Sequence, residues 1–237
     1  MPAITTPDGI TIRYFESGRG RPLVLAHGFG ASLGMWWPQV DVLSQRRRLI
    51  LWDARGHGGS SAPAGPAAYS MPALAGDLRA LLEAVGAVEG ATIGGMSFGG
   101  QIALQYAVAH PGDTRALILS DSTTRGDATP PASEAPAMFA ADPGLAAAYL
   151  AMDGRPDLTP ELSSLRMPAL VIYGDRDQVI GHGISRVIEG LPDRRVVCLR
   201  GCTHGTSAQR PAEWAQAVLR FLEDVDAGAP VSGEESI

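Results

Sequence analysis

The sequence predicts an α/β protein: a mostly parallel central sheet flanked by helices on both faces, with a short helical lid insertion. Three observations carry this. Short apolar runs alternate with longer helical stretches along most of the chain. The middle runs LVLA, LILW, ALILS and ALVIY are apolar at almost every position, as strands covered on both faces must be. No internal repeat interrupts the alternation, and the 237 residues are 45% apolar and 19% charged, an ordinary globular balance.

The expected strands are residues 10–16, 22–26, 48–53, 91–96, 116–120, 169–173 and 195–199. The expected helices are 35–45, 71–85, 98–109, 144–152, 183–189 and 208–224. Leu74, Leu78, Leu81, Leu82 and Val85 give the second helix an apolar stripe, and Trp214, Val218, Phe221, Leu222 and Val225 do so for the last. One domain is expected over 1–225. The Ala- and Pro-rich stretch at about 123–160 reads as an insertion between two strands, and 226–237 as a disordered tail.

Composition narrows the function. A net charge of −6 argues against a nucleic-acid or anionic-membrane binder, which needs clustered Lys and Arg. The run Arg46-Arg47-Arg48 has no basic neighbours and reads as a solvated helix end. Cys198 and Cys202 suggest neither a disulfide framework nor a metal site, and no cofactor is expected. The opening residues carry no secretory pattern and no apolar run is long enough for a bilayer, so a cytoplasmic location is expected.

Gly95-Met96-Ser97-Phe98-Gly99 matches G-x-S-x-G, with an apolar strand before it and a helix after it. A turn this tight needs glycines two residues either side, where side chains would collide. It presents Ser97 at a helix N-terminus, where free N–H groups favour developing negative charge. A serine needs a base. His27 comes too early in the chain, and His57 sits in a glycine-rich loop. His110 ends a helix, and His182 begins one. His204 lies on the loop after the last expected strand, at the sheet's carboxyl edge, and is the candidate base. Either Asp175 or Asp177, after the strand ALVIYG, can supply the carboxylate that orients it; Asp121, after ALILS, is a third candidate, with a turn or cap role as its alternative. Phe98 N–H is one candidate oxyanion donor. Phe29, in the loop HGFG, is the other.

HGFG (27–30), DARGHGGSS (53–61), GMSFGG (95–100), YGDRDQV (173–179) and GCTH (201–204) appear in the order of the α/β-hydrolase superfamily, which the chain resembles over nearly its whole length. The resemblance implies that the acid is the third residue after Gly174, hence Asp177. It implies that Asp53, Arg55 and His57 hold loops. It identifies the insertion at about 123–160 as a lid, short for the family. The implied activity is hydrolysis of a small-molecule carboxylic ester or lactone. Perhydrolase or lyase chemistry on the same triad is the alternative, with Arg125 and Arg155 as candidate contacts to acidic substrates; a non-catalytic receptor is the third. The expected pocket wall is Trp36, Met138, Phe139 and Tyr149, with Phe29 and Phe98. A homodimer that completes this wall is the alternative to a monomer.

Overall fold

The computed structural model describes residues 1–125, 137, 139 and 141–237. Its strands are β1 (Ala3–Thr5), β2 (Thr11–Ser17), β3 (Pro22–Ala26), β4 (Arg48–Trp52), β5 (Ala91–Met96), β6 (Thr114–Ser120), β7 (Ala169–Gly174), β8 (Arg194–Leu199) and β9 (Gly233–Ser236). They form one sheet in the order β1-β2-β4-β3-β5-β6-β7-β8-β9. The two pairings of β2, with β1 and with β4, are antiparallel, and every other pairing is parallel.

The helices are α1 (Trp37–Ser44), α2 (Met71–Ala84), α3 (Phe98–Ala109), α4 (Pro143–Asp153), α5 (Gly183–Gly190), α6 (Thr206–Gln209) and α7 (Pro211–Ala227). Two apolar clusters lie on opposite faces of the sheet. Leu74, Leu78 and Leu81 of α2 and Ile102 of α3 join the first, and Leu43 of α1 with Trp214, Val218 and Phe221 of α7 join the second. The alternation of β-strand side chains explains the division: Val24 faces one cluster while Leu23 and Leu25 face the other. Each buried leucine or phenylalanine contributes about 2 kcal/mol from its removal from water.

Three expectations are corrected. The helix expected from residue 35 begins as a 3-10 turn, Leu33–Trp36, capped by the Ser32 hydroxyl, and becomes α-helical only at Trp37. Pro38 then falls in the first turn, where its missing N–H costs nothing. The helix expected over 208–224 is two helices, because Pro211 cannot donate into a continuing ladder and Arg210 leaves the helical region at φ −132°. Residues 226–237 are not a disordered tail. The helix runs to Ala227, Gly228 ends it at φ +66°, Val231 is buried, and β9 adds a parallel strand to β8. Polar side chains hid this strand, because its hydrogen bonds come from the backbone.

Candidate active site

The site is built at the carboxyl ends of β3, β5, β6, β7 and β8. β5 ends at Met96, and α3 starts at Phe98, so Ser97 alone makes the turn. Its backbone sits at φ 52°, ψ −114°, a conformation that costs a side-chain-bearing residue about 1–3 kcal/mol. Three bonds hold it there. Ser97 N–H donates to Ser120 O at 2.8 Å, and Ser97 O accepts from Gln101 N–H at 3.0 Å and from the Ser122 hydroxyl at 2.8 Å. The glycines around it provide clearance. A Cβ on Gly95 would lie 2.3 Å from the Gly99 carbonyl carbon, and one on Gly99 would lie 2.2 Å from Ala26 O.

His204 lies between Gly201 (φ +76°) and Gly205 (φ +98°) on the loop from β8 to α6. Its Nδ1 is 2.8 Å from Asp177 Oδ2. With the carboxylate as acceptor, Nδ1 carries the proton and Nε2 is left as a lone-pair acceptor. The Asp177 side chain is fully buried, and its Oδ1 accepts from the N–H groups of Val179 (2.8 Å) and Ile180 (3.3 Å). Asp175 has other work: its Oδ1 accepts from Gly201 N–H at 2.6 Å. Ser97 and His204 line the same cavity of about 420 Å³. Among the described residues Ser97 Oγ makes no hydrogen bond to the imidazole, a contact that in unliganded sites often tightens only with substrate.

Phe98 N–H opens α3 and faces the same end of the sheet. On the opposite side is the Gly28–Phe29 peptide. His27 Nδ1 donates to Gly28 O at 2.7 Å, while its Nε2 accepts from Ala54 N–H at 3.1 Å. In a trans peptide the N–H points away from the C=O, so tying Gly28 O back turns Phe29 N–H to the other side. Burial, aided by the neighbouring His57, pushes His27 down to about 4. His57, whose ring centroid is 4.9 Å from that of His27, is also lowered by burial. Asp53 accepts from Leu33 N–H, Gly59 N–H and Arg13 Nε, and Arg55 makes a two-pronged pair with Asp77 at 2.6 Å each. Among the described residues no three His, Cys, Asp or Glu side chains converge as a metal ion requires.

Of the expected wall residues, Phe29 and Tyr149 line the cavity. Trp36 does not: it is fully buried against Trp214 on the far face of the sheet, at 5.1 Å between rings. The 3-10 turn sends Met35 to the cavity and Trp36 to the core. Phe139 packs edge-on against Phe29 at 5.3 Å, behind the wall, and Phe98 is buried behind Phe29 and His57. Met138 lies outside the described residues. Arg155 reaches the cavity and Arg125 does not line it. The sequence reading missed Met96, Gln101, Met152 and Ile180 as lining residues, and Asp121, the third candidate acid, lines the cavity without reaching His204 Nδ1. Gln101 was legible in principle: it stands one helical turn after Ser97, on the same face.

A family model described as the alpha/beta hydrolase fold matches residues 21–167. This chain belongs to that family. It is 30% identical to a 2-hydroxymuconate semialdehyde hydrolase of Pseudomonas sp. (strain CF600), with 93% of each chain covered. It is 28% identical to a pimeloyl-[acyl-carrier protein] methyl ester esterase of Aeromonas hydrophila, covering 86% of this chain and 96% of the other. The crystal structure of an enol-lactonase from Burkholderia xenovorans LB400 superposes with a TM-score of 0.83 at 25% identity, covering 94% of this chain and 100% of that one. These three relatives are hydrolases, and the chain is an α/β-hydrolase. No helix of the described residues is long and apolar enough to cross a membrane.

Proposed function

We propose that the protein is a serine hydrolase of a small carboxylic ester or lactone, acting through Ser97, His204 and Asp177. The observation that carries this reading is one arrangement. A serine on a strained turn at a helix N-terminus shares a cavity with an imidazole whose far nitrogen is tied to a buried carboxylate. Ser97 Oγ attacks the carbonyl carbon while His204 Nε2 takes its proton. The negative charge arising on the carbonyl oxygen is received by Phe29 N–H and Phe98 N–H. The tetrahedral species collapses, the alcohol oxygen leaves with the proton from His204, and Ser97 holds the acyl group. Water, deprotonated by His204, then releases the acid and restores Ser97. Asp177 keeps the proton on Nδ1 throughout. The names of the matched relatives, an ester esterase and an enol-lactonase among them, support attack on a carbonyl carbon.

The wall of Phe29, Met35, Met96, Tyr149, Met152 and Ile180 favours an apolar group beside the reacting carbon. Arg155 on the same wall supports a second reading, an acidic substrate. A panel of p-nitrophenyl esters, lactones, amides and carboxylate-bearing esters, run on the native protein and on Ser97→Ala, tests both. Ester or lactone turnover that disappears in Ser97→Ala, with a single fluorophosphonate adduct on Ser97 of the native protein, is the expected result. Turnover surviving in Ser97→Ala, or an adduct on another serine, sinks the proposal.

A further inference from the structure

We propose that Asp121 is a positioning residue for His204: Asp177 fixes the imidazole ring, and Asp121 fixes the backbone that carries it. Asp121 follows β6, is fully buried, and stands in the left-handed region at φ 46°. Its N–H donates to Ile172 O at 2.8 Å, which locks the residue to β7. Its Oδ2 accepts twice from Thr206, from the N–H at 2.9 Å and from the hydroxyl at 2.7 Å. Thr206 is two residues past His204, across Gly205.

The loop needs such an anchor. A glycine in the left-handed region stands on each side of the Cys202–His204 stretch, and glycine leaves the backbone free to turn elsewhere. Other ties hold it: Arg176 N–H on Cys202 O at 2.9 Å, Asp175 on Gly201 N–H, and Gln209 on Thr203 N–H, the Thr203 hydroxyl and His204 O. The Asp175 and Gln209 ties are exposed, where water competes. The bonds to Asp121 are buried and charge-assisted, and such bonds are the strong ones. A second layer supports them: Trp214 Nε1 donates to Ser120 Oγ at 3.0 Å, and Ser120 Oγ donates to Asp121 Oδ2 at 3.2 Å.

Asp121 Oδ1 has no partner among the described residues, and Asp121 lines the cavity. Burial pushes its carboxyl up to about 6. The Thr206 bonds and nearby His204 pull it down, and Asp177 pushes it up. Cys202 is the other titratable group that feels it. Protonation in mild acid would remove the charge that strengthens both Thr206 bonds.

The inference rests on the proposed triad, so its test has one readout that needs turnover and one that does not. Asp121→Asn and Thr206→Val remove the charge and the hydroxyl, and Thr206→Ser keeps the hydroxyl. We expect kcat on a p-nitrophenyl ester to fall roughly 10- to 100-fold in Asp121→Asn, the scale of a misplaced catalytic group, with KM within about twofold. A smaller fall is expected in Thr206→Val, with recovery in Thr206→Ser. In parallel, the downfield proton NMR signal of His204 Nδ1–H should be sharp in the native protein and should broaden or vanish in Asp121→Asn and in Thr206→Val. A signal that stays sharp in both variants overturns the proposal, with or without ester turnover. So does a loss of kcat shared equally by Thr206→Val and Thr206→Ser. Absence of ester turnover in the native protein would count against the proposed function, and the NMR comparison would still decide the role of Asp121. If Asp121→Asn does not fold, the Thr206 pair decides both arms.

Discussion

Two histidine sites stand at the same edge of the sheet and are built in opposite ways. His27 and His57 are buried ring against ring, their Nδ1 atoms bonded to carbonyls, and among the described residues no carboxylate is hydrogen-bonded to either ring. His204 keeps 24% of its side chain open to solvent and has a buried carboxylate on Nδ1. Burial without a bonded counter-charge makes an imidazole a neutral strut, because the charged form would lose its hydration. A carboxylate on Nδ1 instead fixes the orientation of an imidazole that stays open to solvent. All three motifs, HGFG, RGHGGS and GCTHG, put a histidine among glycines, so residue type alone could not separate the roles.

The largest expected effect comes from making the second site resemble the first. Asp177→Asn strips the charge from behind His204 and can leave its proton on the wrong nitrogen. In serine proteases the equivalent change costs ~10⁴ in kcat. We expect a loss of that order here, and less than about tenfold for Asp175→Asn, whose carboxylate only holds Gly201 N–H. Equal losses in ester-hydrolysis assays would mean that the two carboxylates were assigned the wrong way round.

The next effect concerns protons and stability. His27 is held near 4 against an ordinary 6.5, so between those values the unfolded chain binds more protons and stability falls as pH drops. Asp121 is raised to about 6 from 3.8, so over nearly the same window the folded chain binds more, and stability falls as pH rises. Each amounts to about 3 kcal/mol at 1.36 kcal/mol per unit, with opposite sign. His57, lowered, adds to the first, and Asp77, raised, adds to the second. Urea melts of the native protein should therefore vary little between pH 6.5 and 4. Asp121→Asn should unmask the His27 slope, losing about 3 kcal/mol on acidification. A flat profile in the variant would show that His27 is not the uncompensated strut described here.

The smallest effect is in substrate length. The described part of the chain between β6 and β7 covers the cavity chiefly with α4, through Tyr149 and Met152. Each methylene in a pocket separates substrates by ~1–3 kcal/mol at best, and a partial cover should give less. kcat/KM should change by less than about tenfold per added carbon across acetate to hexanoate esters. A sharp optimum in a protein that stays monomeric on sedimentation would show that the short cover shapes a specific pocket unaided.

The parallel strands were legible because covering both faces demands apolar residues at every position. β1 and β9 were not, because short edge strands are held by backbone bonds and need no apolar pattern. The strand-to-helix turn at Ser97 and the place of His204 on the loop after β8 were legible from glycine spacing and the alternation of elements. The choice of Asp177 over Asp175 needed the family pattern, since both follow the same strand. Trp36 was misplaced because a 3-10 turn shifts the facing of neighbouring residues relative to an α-helix, and nothing in LGMWW marks that turn.

The closeness of Gly99 to β3 has a mechanical consequence. A Cβ there would meet Ala26 O at 2.2 Å and His27 O at 2.6 Å, so the first turn of α3 rests directly on the backbone that leads into HGFG. Nothing compressible lies between them: no side chain can change rotamer to absorb a shift. The turn bearing Ser97 and the loop bearing Phe29 therefore behave as one rigid jaw. Any side chain at position 99 would therefore push the turn bearing Ser97 and the loop bearing Phe29 apart.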